Sequence, residues 1–214
     1  MSLLIGMLVK DGLLSLDETL GDIFQDDGAW ADVTDGSTDF RKGVTVEELL
    51  TMTSGLTDVA PVGNGGDSLQ DSLSYPNIGG KGEFSYLTVA QIPSYIIKER
   101  TGMTPRQYQA KRLMGKLGVG EDEYDWEQNL DGVETGFHGL FLTPMQMAKF
   151  GQLYLQGGRT SRSNDERLIS QEFIDASFTR HTTTTFFGGQ PRAYGYLFIG
   201  FERPSMSTVY CAGG

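Results

Sequence analysis

Hydrophobic positions along the chain follow three patterns in turn. From Leu3 to Val9 the run is apolar on every side and stops at Lys10-Asp11-Gly12, which predicts a helix near 3–11 that has no polar face and is buried in a core. It is too short for a membrane span and lacks the basic start and small-residue cleavage site of a signal peptide. Beyond it the apolar residues recur at helical spacing behind capping residues: Thr45-Val46-Glu47-Glu48 before Leu49, Leu50 and Met52, then Thr104-Pro105-Arg106-Gln107, then Thr143-Pro144-Met145-Gln146 before Met147, Phe150, Gly151 and Tyr154. These signals predict helices near 46–53, 90–100, 105–114, 144–156 and 171–178, with Gly102 and Gly157 as stops. Only near the end does the period become two. Tyr194, Tyr196 and Phe198 alternate with Gly195, Leu197 and Ile199, and Thr208 to Cys211 is partly β-branched, predicting strands near 194–201 and 208–212. Residues 25–42 read as a surface loop, 57–80 as a turn-rich insertion bordering a cleft, and the Thr- and Gly-rich stretch to Gln190 as a connector.

Composition narrows the partners. The 214 residues, 38% hydrophobic and 11% aromatic, suffice for a core. A net charge of −11 without a basic run disfavours nucleic acid and anionic membranes. Cys211 is alone, so no internal disulfide forms, and one cysteine leaves the compartment unassigned. His138 and His181 have no neighbouring Cys or His, and the acidic run Glu121 to Asp125 has no regular ligand spacing, so neither a metal nor a cofactor is expected. A Ser-His-Asp triad is not selected by any spacing.

Two residues invite a catalytic reading. Ser54, in Thr53-Ser54-Gly55-Leu56, is expected at a helix C-terminus, where the dipole opposes an alkoxide, so capping or packing is its expected role. Tyr86 sits in Phe84-Ser85-Tyr86-Leu87-Thr88, after Gly79, Gly80 and Gly82 and just ahead of the helix carrying Ile92, Tyr95, Ile96 and Glu99. On residue type alone Tyr86 is a half-buried loop tyrosine.

The surrounding phrases change that balance. Phe-Ser-Tyr-x-Thr followed by a helix and Arg100-Thr101-Gly102 resembles the second catalytic motif of the serine beta-lactamase and penicillin-binding-protein-like hydrolases, the class C type with its esterase and amidase relatives. Thr88 stands where that Tyr-x-Asn motif has Asn. Gly12 to Leu20 is similar to the phrase that follows the family's nucleophile helix. Val44 to Leu56 is similar to its "Leu-Leu-x-His-Thr-Ser-Gly-Leu", with Met52 for His. Gly139 to Gly158 is similar to its "Gly-Leu-x-Leu-Thr-Pro-x-Asp-Met-Ala-Lys-Phe-Gly" helix, with Gln146 for Asp.

The resemblance implies an α+β fold, beta-lactamase/DD-peptidase-like, mostly the helical lobe with an incomplete antiparallel sheet. It treats residues 1–214 as one incomplete domain: 1–190 the helical lobe with the remainder of the nucleophile helix, 191–214 the terminal strands. It further implies acyl transfer on an amide, lactam or ester, with Tyr86 as general base or proton relay, Thr88 at the second-motif position, and Ala212 and Gly214 at the third-motif position. The family's Ser-x-x-Lys would precede Leu3, so this chain alone is expected to be inactive. The hydroxyl of Tyr86 is expected to face a cleft lined by the Gly136–Leu140 loop and the C-terminal strand. A small-molecule or peptide substrate is implied for the longer parent, exported or periplasmic in this family, and the incomplete sheet invites self-association. Two alternatives stay open: a non-catalytic relative that binds a peptide or cell-wall ligand, and an acidic helical interaction domain.

Overall fold

The computed structural model describes all residues except 34, 35, 37, 57–67, 75–79, 87, 162–165, 187, 204, 205 and 212–214. The first helix, α1 (Ser2–Lys10), is buried from Ser2 through Leu8, as its all-round apolar sequence requires. It is followed by α2 (Leu20–Ile23), α3 (Thr38–Lys42), α4 (Val46–Leu50), α5 (Leu69–Ser74), α6 (Ile92–Thr101) and α7 (Pro105–Arg112), of which α6 packs on it. The predicted caps form. Thr45 Oγ1 accepts from Glu48 N at 3.2 Å while Glu48 Oε2 accepts from Thr45 N at 2.8 Å. Thr104 with Gln107 repeats the pattern, and Gly102 closes α6 in the left-handed conformation.

A two-stranded ribbon, β1 (Asp125–Trp126) with β2 (Leu140–Phe141), leads into α8 (Pro144–Leu155) and α9 (Gln171–Ser177). The chain then forms an antiparallel meander of β3 (Thr182–Thr184), β4 (Arg192–Tyr194), β5 (Ile199–Arg203) and β6 (Met206–Cys211). Helices and antiparallel sheet together make an α+β architecture in which β3 and β6 are the outer strands among the described residues.

Several expectations are corrected. The strand expected over 194–201 is two strands joined by a tight turn: Gly195 N donates to Phe198 O at 2.9 Å, Leu197 takes φ 61°, and its amide reaches Leu50 O at 2.9 Å. The apolar alternation was real, but a bond to the end of α4 wins over continued pairing. Gly195 is needed there, since a Cβ would lie 2.0 Å from Ser177 O. The expected connector holds β3, because a threonine run is β-branched and pairs readily with Arg192–Tyr194. The expected surface loop at 25–42 contains a 3₁₀ turn at Asp27–Trp30 and α3. Trp30 is buried with Nε1 donating to Phe24 O at 2.9 Å, and Arg41 is fully buried with Nη1 donating to Leu73 O at 3.1 Å. A buried arginine contributes nothing to an apolar period.

Other boundaries move for local reasons. Helix α4 stops at Leu50 rather than 53, since Met52 adopts φ 57° and the chain closes back with Met52 N on Leu49 O at 3.2 Å and Thr53 N on Glu48 O at 2.9 Å. On α8 the buried residues are Gln146 and Leu153, while Met147 and Gly151, expected on the packed face, are exposed. The acidic run at 121–125 does expose its carboxylates, yet Tyr124 within it and Trp126 just after it are core residues. The insertion expected at 57–80 lies partly outside the described residues, and α5 is the helix described within it. No helix among the described residues is long and apolar enough to cross a membrane.

Candidate active site

The turn that carries Tyr86 is laid along the end of α4. Gly82 N donates to Thr53 O and Ser85 N to Met52 O, both at 2.9 Å. The left-handed backbone at Met52 belongs to the turn that presents these carbonyls, so the Thr-Met-Thr-Ser-Gly phrase is the bed of the tyrosine turn. Lys81 adds a clamp, with Nζ 2.6 Å from Gly43 O and 2.9 Å from Glu48 Oε2.

On the other side a 3₁₀ turn at Thr88–Gln91 runs into α6. Gln91 is fully buried. Its Oε1 accepts from Gly136 N at 2.7 Å and its Nε2 donates to Glu134 O at 3.4 Å. Gly136 approaches so closely that a Cβ would stand 1.9 Å from Ala90 O. Glu134, also fully buried, accepts from Arg106 N at the start of α7 at 3.1 Å and from Gln128 Nε2 at 2.7 Å. Segment 134–136 is thereby locked to the turn that follows Tyr86.

Over Tyr86 the neighbours are rings. Tyr194 of β4 meets it edge-on at 6.2 Å between centroids, Phe84 lies at 6.3 Å, and Phe186 from the β3–β4 turn lies at 5.1 Å. Phe84 and Tyr194 make a T-shaped pair at 4.8 Å. Tyr86 is half-buried, and loss of solvation raises its phenol above the ordinary value. Tyr194 is raised further, by desolvation first and then by Tyr86, which places the two phenols within electrostatic reach of each other. Both stay protonated at neutral pH unless a cation is brought beside them.

The remaining candidates separate from this place. Ser54 is 2% exposed and its Oγ accepts from Leu56 N at 3.3 Å, a local turn bond consistent with the expected structural role. His138 Nδ1 is 3.3 Å from Glu127 Oε2, beside the β1–β2 ribbon. His181 stacks on Tyr196 at 4.5 Å and puts Nε2 2.8 Å from Ala176 O. Thr88 begins the 3₁₀ turn directly after the tyrosine segment, with its side chain outside the described residues, as are Ala212 and Gly214. Gln91 and Phe186 were not singled out from sequence. A buried glutamine carries no periodic signal, and Phe186 lies in what reads as a connector.

The comparisons with known proteins bear on this arrangement. The Beta-lactamase family profile matches residues 1–214. The chain belongs to the beta-lactamase family. Its fold is similar to the octameric penicillin-binding protein homologue from Pyrococcus abyssi, at 21% identity and TM-score 0.63, covering 94% of this chain and 51% of that one. It is also similar to a penicillin binding protein from Bacillus halodurans (19% identity, TM-score 0.65, covering 98% and 68%). A family VIII carboxylesterase aligns at 15% identity and TM-score 0.71, covering 100% of this chain and 68% of that one. The chain thus spans about half to two thirds of the length of these relatives. No curated protein sequence matches it.

Proposed function

We propose that this chain supplies the tyrosine-bearing part of a serine acyl-transfer site acting on an amide, lactam or ester carbonyl. The observation that carries the reading is the position of Tyr86, half-buried where the bed of α4 meets the sheet, on a turn fixed from both sides by hydrogen bonds. In the reaction a serine attacks the carbonyl carbon, Tyr86 relays the serine proton to the leaving nitrogen or oxygen as its bond to that carbon breaks, and water or an amine later takes the acyl group from the serine. Desolvation keeps the phenol of Tyr86 neutral, so it needs a lysine beside it to act as a base. The family's Ser-x-x-Lys would bring that lysine, and no Ser-x-x-Lys occurs within residues 1–214. By the family resemblance Thr88 corresponds to the second-motif position, and Ala212 and Gly214 to the third-motif position.

Residues 1–214 by themselves are accordingly proposed to be inactive, since loss of the nucleophile alone removes acceleration on the order of a millionfold. A fluorophosphonate or fluorescent penicillin is expected to leave residues 1–214 unlabelled. A polypeptide with a Ser-x-x-Lys segment ahead of Leu3 and the family's continuation after Gly214 is expected to be labelled on that serine, about a hundredfold more slowly with Tyr86→Phe. Stoichiometric labelling of residues 1–214 at Ser54, abolished by Ser54→Ala, would sink this reading, and so would labelling indifferent to Tyr86→Phe.

A further inference from the structure

A groove of about 560 Å³ lies between the outer side of α7 and the 3₁₀ turn Glu121–Glu123. Met103, just ahead of α7, and Arg106, Ala110 and Lys111 on it share one side at helical spacing and make one wall; Glu121 and Asp122 make the other. Both walls are fixed. Arg106 N donates to the buried Glu134 carboxylate at 3.1 Å, and Arg106 Nη2 joins the walls by donating to Glu121 O at 3.2 Å. The acidic turn is tied to α8 by Gln146 Nε2, which donates to Glu123 O at 2.9 Å, and is closed by Glu123 Oε2, which accepts from Gly120 N at 2.5 Å. The charges on these walls are unspent. Arg106 pairs with Asp125 at 3.5 Å, and farther along the chain Arg112 and Lys116 pair with Asp11 and Glu166. Lys111, Glu121 and Asp122 line one space, yet among the described residues their side chains make no ion pair or hydrogen bond, with each other or elsewhere. Two neighbouring carboxylates repel one another, a cost that a cation placed between them removes.

We propose that this groove binds a short peptide with free termini, its carboxylate against Lys111, its ammonium against Glu121 and Asp122, and an apolar side chain over Met103 and Ala110. The volume is on the scale of small-molecule sites. A ligand of one charge satisfies one wall and leaves the other unpaired, and a neutral ligand desolvates both without return. A divalent cation finds only the two carboxylates, with Lys111 opposing it. Walls held by backbone and capping bonds do not have to be ordered when the peptide enters, which lowers the entropy lost on binding. Binding here makes no use of Tyr86 and is independent of the acyl-transfer reading.

The experiment is an NMR titration of residues 1–214 with alanyl-leucine, N-acetyl-alanyl-leucine, which lacks the ammonium, and alanyl-leucinamide, which lacks the carboxylate. The backbone amides of Lys111 and Asp122 are followed. Alanyl-leucine is expected to shift both saturably, and each capped form to bind about threefold or more weakly, the scale of one exposed charge pair. Lys111→Met should weaken alanyl-leucine by a similar factor and leave alanyl-leucinamide unchanged, because that probe has no carboxylate for Lys111 to meet. The double variant Glu121→Gln, Asp122→Asn should weaken alanyl-leucine and leave N-acetyl-alanyl-leucine no weaker. All three positions are exposed, so these changes leave the fold in place. Absence of saturation with alanyl-leucine, equal binding of the three probes, or equal weakening of alanyl-leucine and alanyl-leucinamide by Lys111→Met would overturn the proposal.

Discussion

The two sides of Tyr86 are made differently. Its base consists of directional bonds with no slack: Met52 and Thr53 carbonyls to Ser85 and Gly82, Gln91 to Gly136, and a glycine at 136 because nothing larger fits. Its canopy consists of rings, in which Phe84, Tyr194 and Phe186 touch through contacts that tolerate sliding. The difference separates two tasks. The base fixes where the phenol stands, and a small error there misplaces its hydroxyl. The canopy determines what packs beside it, and can change by substitution without moving the phenol.

The comparison breaks most sharply at Gly136→Ala. A Cβ 1.9 Å from Ala90 O forces backbone apart at the base, and a loss of about 3 kcal/mol or more is expected in the unfolding free energy measured by urea titration. A loss under about 1 kcal/mol would show that segment 134–136 is free to yield.

An intermediate effect is expected on the alkaline side. Tyr194 has its folded-state value raised above the unfolded value near 10, by desolvation and then by Tyr86. Its contribution is therefore complete below about pH 10 and is lost as pH rises beyond that toward the folded value. Thermal melts from pH 9 to 11 should show falling stability, with a shallower fall in Tyr194→Phe. An unchanged slope in that variant would place the alkaline sensitivity elsewhere, for example at the half-buried Tyr154, which desolvation also raises.

The smallest effect belongs to the exposed canopy. Phe186→Leu should change stability by no more than about 0.5 kcal/mol, measured in the same urea series. A larger loss would make Phe186 a structural ring and erase the contrast with the base.

Much of this was legible in the sequence, and the legible parts share a cause. The all-apolar α1, the Thr45, Thr104 and Thr143 capping boxes and the Gly102 stop depend on residues within a turn or two of one another. The place of Tyr86 on a turn ahead of α6 was legible through the glycines before it and the helical spacing after it. The parts not legible depend on distant partners: Arg41 is buried because Leu73 O receives it, the Gly195–Phe198 turn forms because Leu197 N finds Leu50 O, and Gln91 matters because Gly136 arrives beside it. Thr182–Thr184 is a strand because Arg192–Tyr194 lies next to it, and Thr185, the last of the same run, is not.

The short run from Leu50 to Thr53 has one more consequence, for the order of assembly. Its carbonyls are claimed by Leu197 from the sheet, and by Ser85 and Gly82 from the tyrosine turn. None of these partners is near in the chain, so each bond waits on the closure of a long loop whose entropy must be met first. The caps and α1 can form early from neighbours alone. The place where Tyr86 stands takes its shape only after both distant segments have returned to the end of α4, so it is among the last regions to become native and is exposed to any trap that delays the sheet.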